Sequence, residues 1–275
     1  MISIGTYGFF VQNVSFAIST PLYLFIHLLT SPISKPFTFA HASDSLFVST
    51  YDLAIIPISI TLGYIIPSLL TIFPAYSPTA SPTHQYLVAF WQAFPLWTIL
   101  VQWTLKLVCT LILGQDTAAE AEKSPQPAAS TTYLYYASKV YTFTLLFCTA
   151  THLPAIVLSL LPPHIIPKSM PALAYLAHTS FTSAFIPPLP LGQPIKDLAE
   201  GAHVFLLWDM YIGSAAGLLW AVVLYQNASI GKQSMFPNVS LIAKTIIWTV
   251  LGGPVAAWTI LMWERDQVVK QKIKV

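Results

Sequence analysis

The sequence predicts an all-α fold: a polytopic transmembrane helix bundle of about seven spans, built as a single domain over residues 1–275. Three observations predict it. First, 55% of the residues are hydrophobic and only 8% are charged, whereas a soluble domain carries roughly a quarter charged residues. Second, apolar runs of about 20 residues, the length that crosses a bilayer as a helix, recur along the whole chain. Third, the few basic residues are distributed unevenly between those runs, as they are when cytoplasmic flanks collect Lys and Arg. With a mean hydropathy of +0.67, a soluble enzyme is excluded. A net charge of +2 and a single arginine, Arg265, exclude a nucleic-acid binder, which needs clustered basic residues.

The first run, Gly5–Thr30, has no basic residue before it and exceeds the roughly 7–15-residue core of a signal peptide, so it reads as a retained span. Asp52–Phe73, His84–Leu113 and Tyr133–Leu160 follow, and Gly201–Gln226 and Val239–Trp263 close the chain. The seventh candidate, Ile165–Pro187, contains Pro167, Pro171, His178 and a Thr/Ser cluster, which leaves a re-entrant or interfacial segment open. Charge arbitrates. With seven spans and a cytoplasmic tail, Lys35, Lys106, Lys123, Lys139 and Lys196 join Arg265, Lys270, Lys272 and Lys274, nine basic residues against three. With six spans the split is six against six. Seven spans therefore place the carboxyl terminus in the cytoplasm and the amino terminus opposite. The stretch 114–132, with Asp116, Glu120, Glu122, Pro125 and Pro127, reads as a mobile cytoplasmic loop. Cys109 and Cys148 lie in apolar runs and read as small hydrophobes.

Ionisable side chains in lipid are costly and mark function. Asp209, counted from Gly201, lies about 12 Å into its span, with no Lys or Arg on the same helix to neutralise it. An unpaired carboxyl at that depth favours its protonated form and is a proton donor in waiting; the alternative is a carboxyl bonded to a neighbouring backbone. Asp52 begins a helix, where an acid also serves as a cap. Glu264 follows the last span, where it either ends the helix in water or lines a cytoplasmic mouth. His152 is the deepest of three span histidines, with His27 and His203 nearer the ends. No two of them stand four apart on one helix, so no metal site is expected. Asn13, Gln102 and Gln92 are polar at similar depth. Trp97, Trp103 and Trp208 fall away from helix ends, and with Tyr211 they offer electron-rich faces to a cation; helix packing explains any single ring equally well. Gly213 and Gly217 form a GxxxG spacing that permits close helix contact.

Four stretches carry a resemblance: Phe205–Ala216 (FLLWDMYIGSAA), Gly253–Asp266 (GPVAAWTILMWERD), Pro21-Leu22-Tyr23 and Phe90–Trp97. Together they resemble the fungal integral membrane terpene cyclases of meroterpenoid biosynthesis, and the likeness covers most of the chain. The resemblance implies a protonation-initiated cyclase, an isomerase or lyase of secondary metabolism in the endoplasmic reticulum. Its substrate would be a lipophilic prenylated small molecule taken from the lipid bilayer, and no cofactor and no metal is implied. Asp209 is the residue to carry over as acid and Glu264 a second candidate. The family pattern pairs two acids in the bundle; Asp52 and Glu264 both lie near helix ends, so the partner of Asp209 stays open. Trp208, Tyr211, Trp97, Trp103, Gln102, Asn13 and His152 are the candidate substrate contacts. Aspartate-rich clusters that hold diphosphate through magnesium are missing from the sequence, which argues against a prenyltransferase. Two other classes stay open: a small transporter or channel using Asp209 as a proton or cation site, and a non-catalytic membrane scaffold.

Overall fold

In the computed structural model the described residues are 4–34, 49–72, 82–114, 127–165, 180–189, 195–229 and 239–273, and all regular structure among them is helical. The helices are α1 (Ile4–Val14), α2 (Phe16–Thr30), α3 (Thr50–Ile60), α4 (Ile66–Ile72), α5 (Pro82–Gln92), α6 (Phe94–Leu113), α7 (Pro127–Leu160), α8 (Phe181–Phe185), α9 (Leu198–Ser229) and α10 (Val239–Ile273). A π-helical turn at Thr61–Ile65 joins α3 to α4. Five helical stretches are long and apolar enough to cross a bilayer: Thr50–Thr71, Phe94–Leu113, Thr132–Leu160, Leu198–Ser229 and Val239–Gln271. The protein is an integral membrane helix bundle. The expected loop 114–132 gives way to helix at Pro127, and residues 115–126 lie outside the described residues, as do 166–179 of the seventh candidate span.

Two of the expected spans are folded back on themselves. Gly5–Thr30 is broken at Ser15, whose φ of 127° is far from helical. Across the break Tyr7 Oη and Thr20 Oγ1 are 2.5 Å apart, and the rings of Tyr7 and Tyr23 have centroids 5.0 Å apart. In a straight helix, 13 to 16 residues would separate these groups by roughly 20–24 Å. Thus α1 and α2 form an acute hairpin, and the start of α1 returns to the side where α2 ends.

The same construction closes the chain. Within α10, Gly253 has φ 75° and ψ 179°, a conformation that glycine adopts without a Cβ penalty, and Pro254 starts the second arm. Lys244 Nζ is ion-paired with Glu264 Oε1, and Leu241 and Leu261 share one cluster with Ala221 of α9. Twenty residues of straight helix would hold either pair about 30 Å apart. The hydrophobic run that the sequence presents as a single crossing is therefore a helical hairpin with Gly253 at its apex.

Between the hairpins stands α9, which packs against α2 on one side and α10 on the other, while α10 also packs on α7. Its small residues set the spacing. A Cβ at Gly213 would fall 2.3 Å from Phe16 Cδ1, and one at Gly217 would fall 1.5 Å from Trp258 Cε3. Alanine at either position would overlap an aromatic ring. The polar ties are Trp220 Nε1 to His27 Nδ1 of α2 at 3.2 Å and Asn227 Nδ2 to the carbonyl of Ser34, in the short turn Pro32–Ser34 that follows α2. Val269 and Ala228 are fully buried against each other, so the ends of α2, α9 and α10 share one side of the bundle.

Candidate functional site

Asp209 is placed by α9 at the apex of the first hairpin. Its Oδ1 accepts from the Ala17 amide at 2.8 Å and its Oδ2 from the Phe16 amide at 3.3 Å. These are the first N–H groups of α2, left without an intrahelical acceptor because the chain breaks at Ser15. Ser15 itself makes no side-chain cap, so Asp209 caps the helix from another element, at the positive end of the α2 dipole. The carboxyl is not unpaired: it is bonded to a neighbouring backbone, the alternative that the sequence left open. Its partners are amides from a helix end that the sequence does not advertise. The residue is only partly buried.

The other two acids have charged partners. Asp52 does not cap its own helix: Ser49 Oγ accepts from the Asp52 amide at 3.3 Å. The Asp52 carboxylate instead faces α6, with Oδ2 receiving Lys106 Nζ and Oδ1 receiving Gln102 Nε2 at 3.3 Å. Glu264, expected to end a helix in water, pairs with Lys244 across the second hairpin. The three carboxylates thus occupy three different places, and among the described residues none is within hydrogen-bond reach of another.

The aromatic candidates divide in the same way. Three side chains of α9 reach the segment 180–189 through their polar atoms. His203 Nε2 is 2.7 Å from the Ser183 carbonyl, Trp208 Nε1 donates to the Pro188 carbonyl at 3.0 Å, and Tyr211 Oη donates to the Phe185 carbonyl at 2.6 Å. The Phe185 ring stands edge-on to His152 of α7, centroids 5.6 Å apart. Tyr211, Trp208 and His152 are thereby brought around one segment. Trp103 is 70% exposed and faces outward from the bundle. Trp97 donates to the Phe90 carbonyl at 2.8 Å and stacks on the Phe90 ring. Asn13 bonds back to the Phe9 carbonyl within its own helix. Gln102 belongs with Asp52, as above.

Sequence reasoning missed a fully buried carboxylate. Asp266 is fully buried and Arg265 is 3% exposed, although both sit in a charged run that reads as a solvated helix end. Asp266 Oδ1 accepts from Arg265 Nη1 at 2.8 Å, and Oδ2 from Tyr141 Oη at 2.7 Å and Tyr133 Oη at 3.3 Å. The available signal was the eight-residue spacing of Tyr133 and Tyr141, about two turns on one face of α7. Two hydroxyls also went unnoticed: Thr149 Oγ1 and Ser214 Oγ are buried without a hydrogen-bond partner among the described residues. Among those residues no group of three His, Cys, Asp or Glu is arranged to hold a metal ion.

The CtvD domain family matches residues 2–270. Terpene cyclase ascI of Acremonium egyptiacum is 28% identical over 274 residues, covering 98% of this chain and 64% of its own length. Terpene cyclase ctvD of Aspergillus terreus is 25% identical over 260 residues, 93% of this chain and 65% of its own. Terpene cyclase janA of Penicillium janthinellum is 24% identical over 198 residues, 66% of this chain and 43% of its own. The chain thus spans a little under two thirds of the first two relatives. No solved structure matches it.

Proposed function

The chain belongs to the CtvD domain family, and from that premise we propose that it is a membrane-bound terpene cyclase in which Asp209 donates the initiating proton. The substrate class is a prenylated lipophilic intermediate of meroterpenoid type that enters from the bilayer. The Asp209 proton passes to a terminal alkene carbon or an epoxide oxygen. The alkene π pair forms the new C–H bond, or the C–O bond breaks toward oxygen. The carbon left positive is attacked by the next double bond, and the last cation loses a proton or is trapped by an internal nucleophile. No diphosphate leaves, so the reading includes no metal and no cofactor.

The observation that carries this reading is the pair of amides on Asp209. As the proton leaves, negative charge develops on a carboxylate already faced by two N–H donors and a helix dipole. Donors fixed before the reaction favour the charged product without reorganising, the logic of preorganised stabilisation. Trp208, Tyr211 and Phe185 offer ring faces to a cation. Asp52 and Glu264, each held by a lysine, serve as anchors of their helices and not as second acids. Lys139, Lys244, Arg265 and Lys270 lie toward the end where α10 closes, against Lys196 at the start of α9. This bias supports a cytoplasmic carboxyl terminus, in a protein of the endoplasmic reticulum.

The test offers microsomes containing wild type or Asp209→Asn a farnesylated phenol and its terminal epoxide, and reads products by mass and retention. Wild type yields an isomer of unchanged mass and new retention; the variant falls by at least about 100-fold, the range of a lost general acid. Equal cyclisation by the variant removes Asp209 from the role, and no isomer from wild type removes the cyclase reading. A second reading, transport, draws on the folded-back helices, since broken helices at mid-bilayer also build transporter sites. It requires water to reach a cysteine placed at position 209 from one side.

A further inference from the structure

We propose that the apex of the second hairpin is a binding site for the oxygen-bearing head group of an apolar ligand. Taking that ligand to be a prenylated phenol rests on the cyclase reading above; the site itself rests on four features of the apex.

The first is the helix start. Gly253 breaks α10 and supplies no side chain, and Pro254 opens the second arm. Among the described residues no side chain caps the first turn of that arm. Its N–H groups and the positive end of its dipole are the ordinary receptor for an oxygen acceptor. The second feature is Ser214, 1% exposed with its Oγ unpartnered. Ser214, Leu218 and Ala221 follow the i, i+4, i+7 spacing of one α9 face, and Leu218 and Ala221 pack with Trp258 and Leu261 of the second arm. One turn further along that face, Ser214 lies level with the apex.

The third feature is Thr149 of α7, whose Oγ1 is also buried and unpartnered. It lies 3.4 Å from where a Cβ would stand on Gly252. The fourth is His152, one turn along α7, with Nδ1 3.2 Å from the corresponding point on Gly253. Two glycines thus let α7 approach the apex closely, which sets one orphan hydroxyl and an imidazole against it. A buried hydroxyl with no partner costs folding free energy, and such groups are retained where something else satisfies them. Two hydroxyls, a ring nitrogen and a helix N-terminus suit a group that both donates and accepts, such as a phenol. They offer no cation to hold a diphosphate.

At the first hairpin the equivalent helix start is occupied by a carboxylate of the protein itself. The second apex has the same receptor without the protein's carboxylate, and the proposal assigns that position to the ligand.

The test uses the full chain in lipid nanodiscs as wild type, Ser214→Ala, Thr149→Val and the double variant. The probes are a farnesylated phenol and farnesylbenzene, which lacks the oxygen. The expected result has three parts. The ligand-free variants melt at or above wild type, because an orphan hydroxyl has been removed. The phenol stabilises wild type more than farnesylbenzene does. The double variant loses that difference, with phenol affinity down about tenfold and farnesylbenzene affinity unchanged. A phenol response equal to wild type overturns the site, as does a wild type that responds equally to both probes.

If a variant fails to fold, a diazirine-bearing farnesylated phenol on wild type decides. Labelling at residues 149–152 or 252–256 supports the apex, and labelling confined elsewhere overturns it. Binding is read without turnover. A chain that binds at the apex and forms no cyclised isomer refutes the cyclase reading alone; one that cyclises without using the apex refutes this proposal alone.

Discussion

The two hairpins are built alike and anchored oppositely. In the first, the break at Ser15 exposes two amides, and the bundle supplies the carboxylate, Asp209 of α9, that receives them. In the second, the hairpin supplies the carboxylate, Asp266, and the bundle supplies the donors, Tyr133 and Tyr141 of α7. The first anchor sits at the apex, in the middle of the bundle; the second sits far down the arm, about 20 Å from Gly253 at 1.5 Å per residue. Fixing a hairpin at its tip fills the tip, and fixing it along its arm leaves the tip for something else. The difference separates a carboxylate at a hairpin tip, the one given the proton in the proposed reaction, from one that ties a hairpin arm to its neighbour.

The strongest way to break the comparison is to remove the second anchor. Asp266→Ala leaves Arg265 buried beside two phenols that have lost their acceptor. Taking one member from a buried charged pair costs about 3–5 kcal/mol. The expected outcome is a large fall in melting temperature, with α10 released from α7 and most of the protein lost from the membrane fraction at elevated temperature. Asp266→Asn, which keeps an acceptor for Tyr141, should recover part of that stability. If Asp266→Ala melts like wild type, the Asp266 network is not an anchor and the contrast fails. Should Asp266→Ala instead abolish turnover in protein that remains folded, the division of roles between Asp209 and Asp266 would be wrong.

A smaller effect is expected at the apex. Gly253→Ala places a Cβ on a residue at φ 75° and 3.2 Å from His152 Nδ1. Strain of this kind costs of order 1–3 kcal/mol. Thermal melting of the variant should drop by that amount while the first hairpin, followed through a Tyr7–Tyr23 environment probe, is unchanged. A neutral Gly253→Ala would show that the second arm can straighten into a continuous crossing, which would return the span count toward the sequence expectation.

Legibility in the sequence followed the range of each interaction. The helical class, the membrane setting and the spans of α3 with α4, α6, α7 and α9 were all readable, because apolar runs of sufficient length are a local property. Asp209 was legible as a carboxyl inside a span and backbone bonding was one of its two readings, yet the identity of its partners was not legible: the amides of Phe16 and Ala17 lie some 190 residues away in the chain and are donors only because Ser15 breaks the helix. Neither break announces itself in hydropathy. A run such as Val239–Gln271 has the same composition folded or straight, and the Gly253-Pro254 pair reads equally well as a tolerated kink. Asp266 was misread for a related reason. A charged residue at the end of a long helix is usually solvated, and here the arm of a hairpin carries it back against α7. Trp97, expected away from a helix end, stands in the first turn of α6, and Trp103, 70% exposed, misled in the opposite direction. In a membrane an outward-facing aromatic ring is stable in lipid, so distance from a helix end does not imply a lining role.

The smallest expected effect sharpens the comparison most, because it asks what keeps the second hairpin closed. Lys244 and Glu264 tie the two arms, but their side chains are 47% and 30% exposed. An ion pair that open to its surroundings is worth about 0–1 kcal/mol. Lys244→Met should therefore change the melting temperature by no more than a degree or two. Closure should then rest on the apolar contact of Leu241, Leu261 and Ala221, whose members are 3%, 2% and 0% exposed. Leu261→Ala should therefore lower the melting temperature by more than Lys244→Met does, since truncating a buried leucine costs about 2–5 kcal/mol. If Lys244→Met is the more damaging of the two, the ion pair and not the apolar seam holds the arms together. The two hairpins would then share an electrostatic logic, each closed by a single carboxylate, and the apex of the second would open and shut with one surface charge.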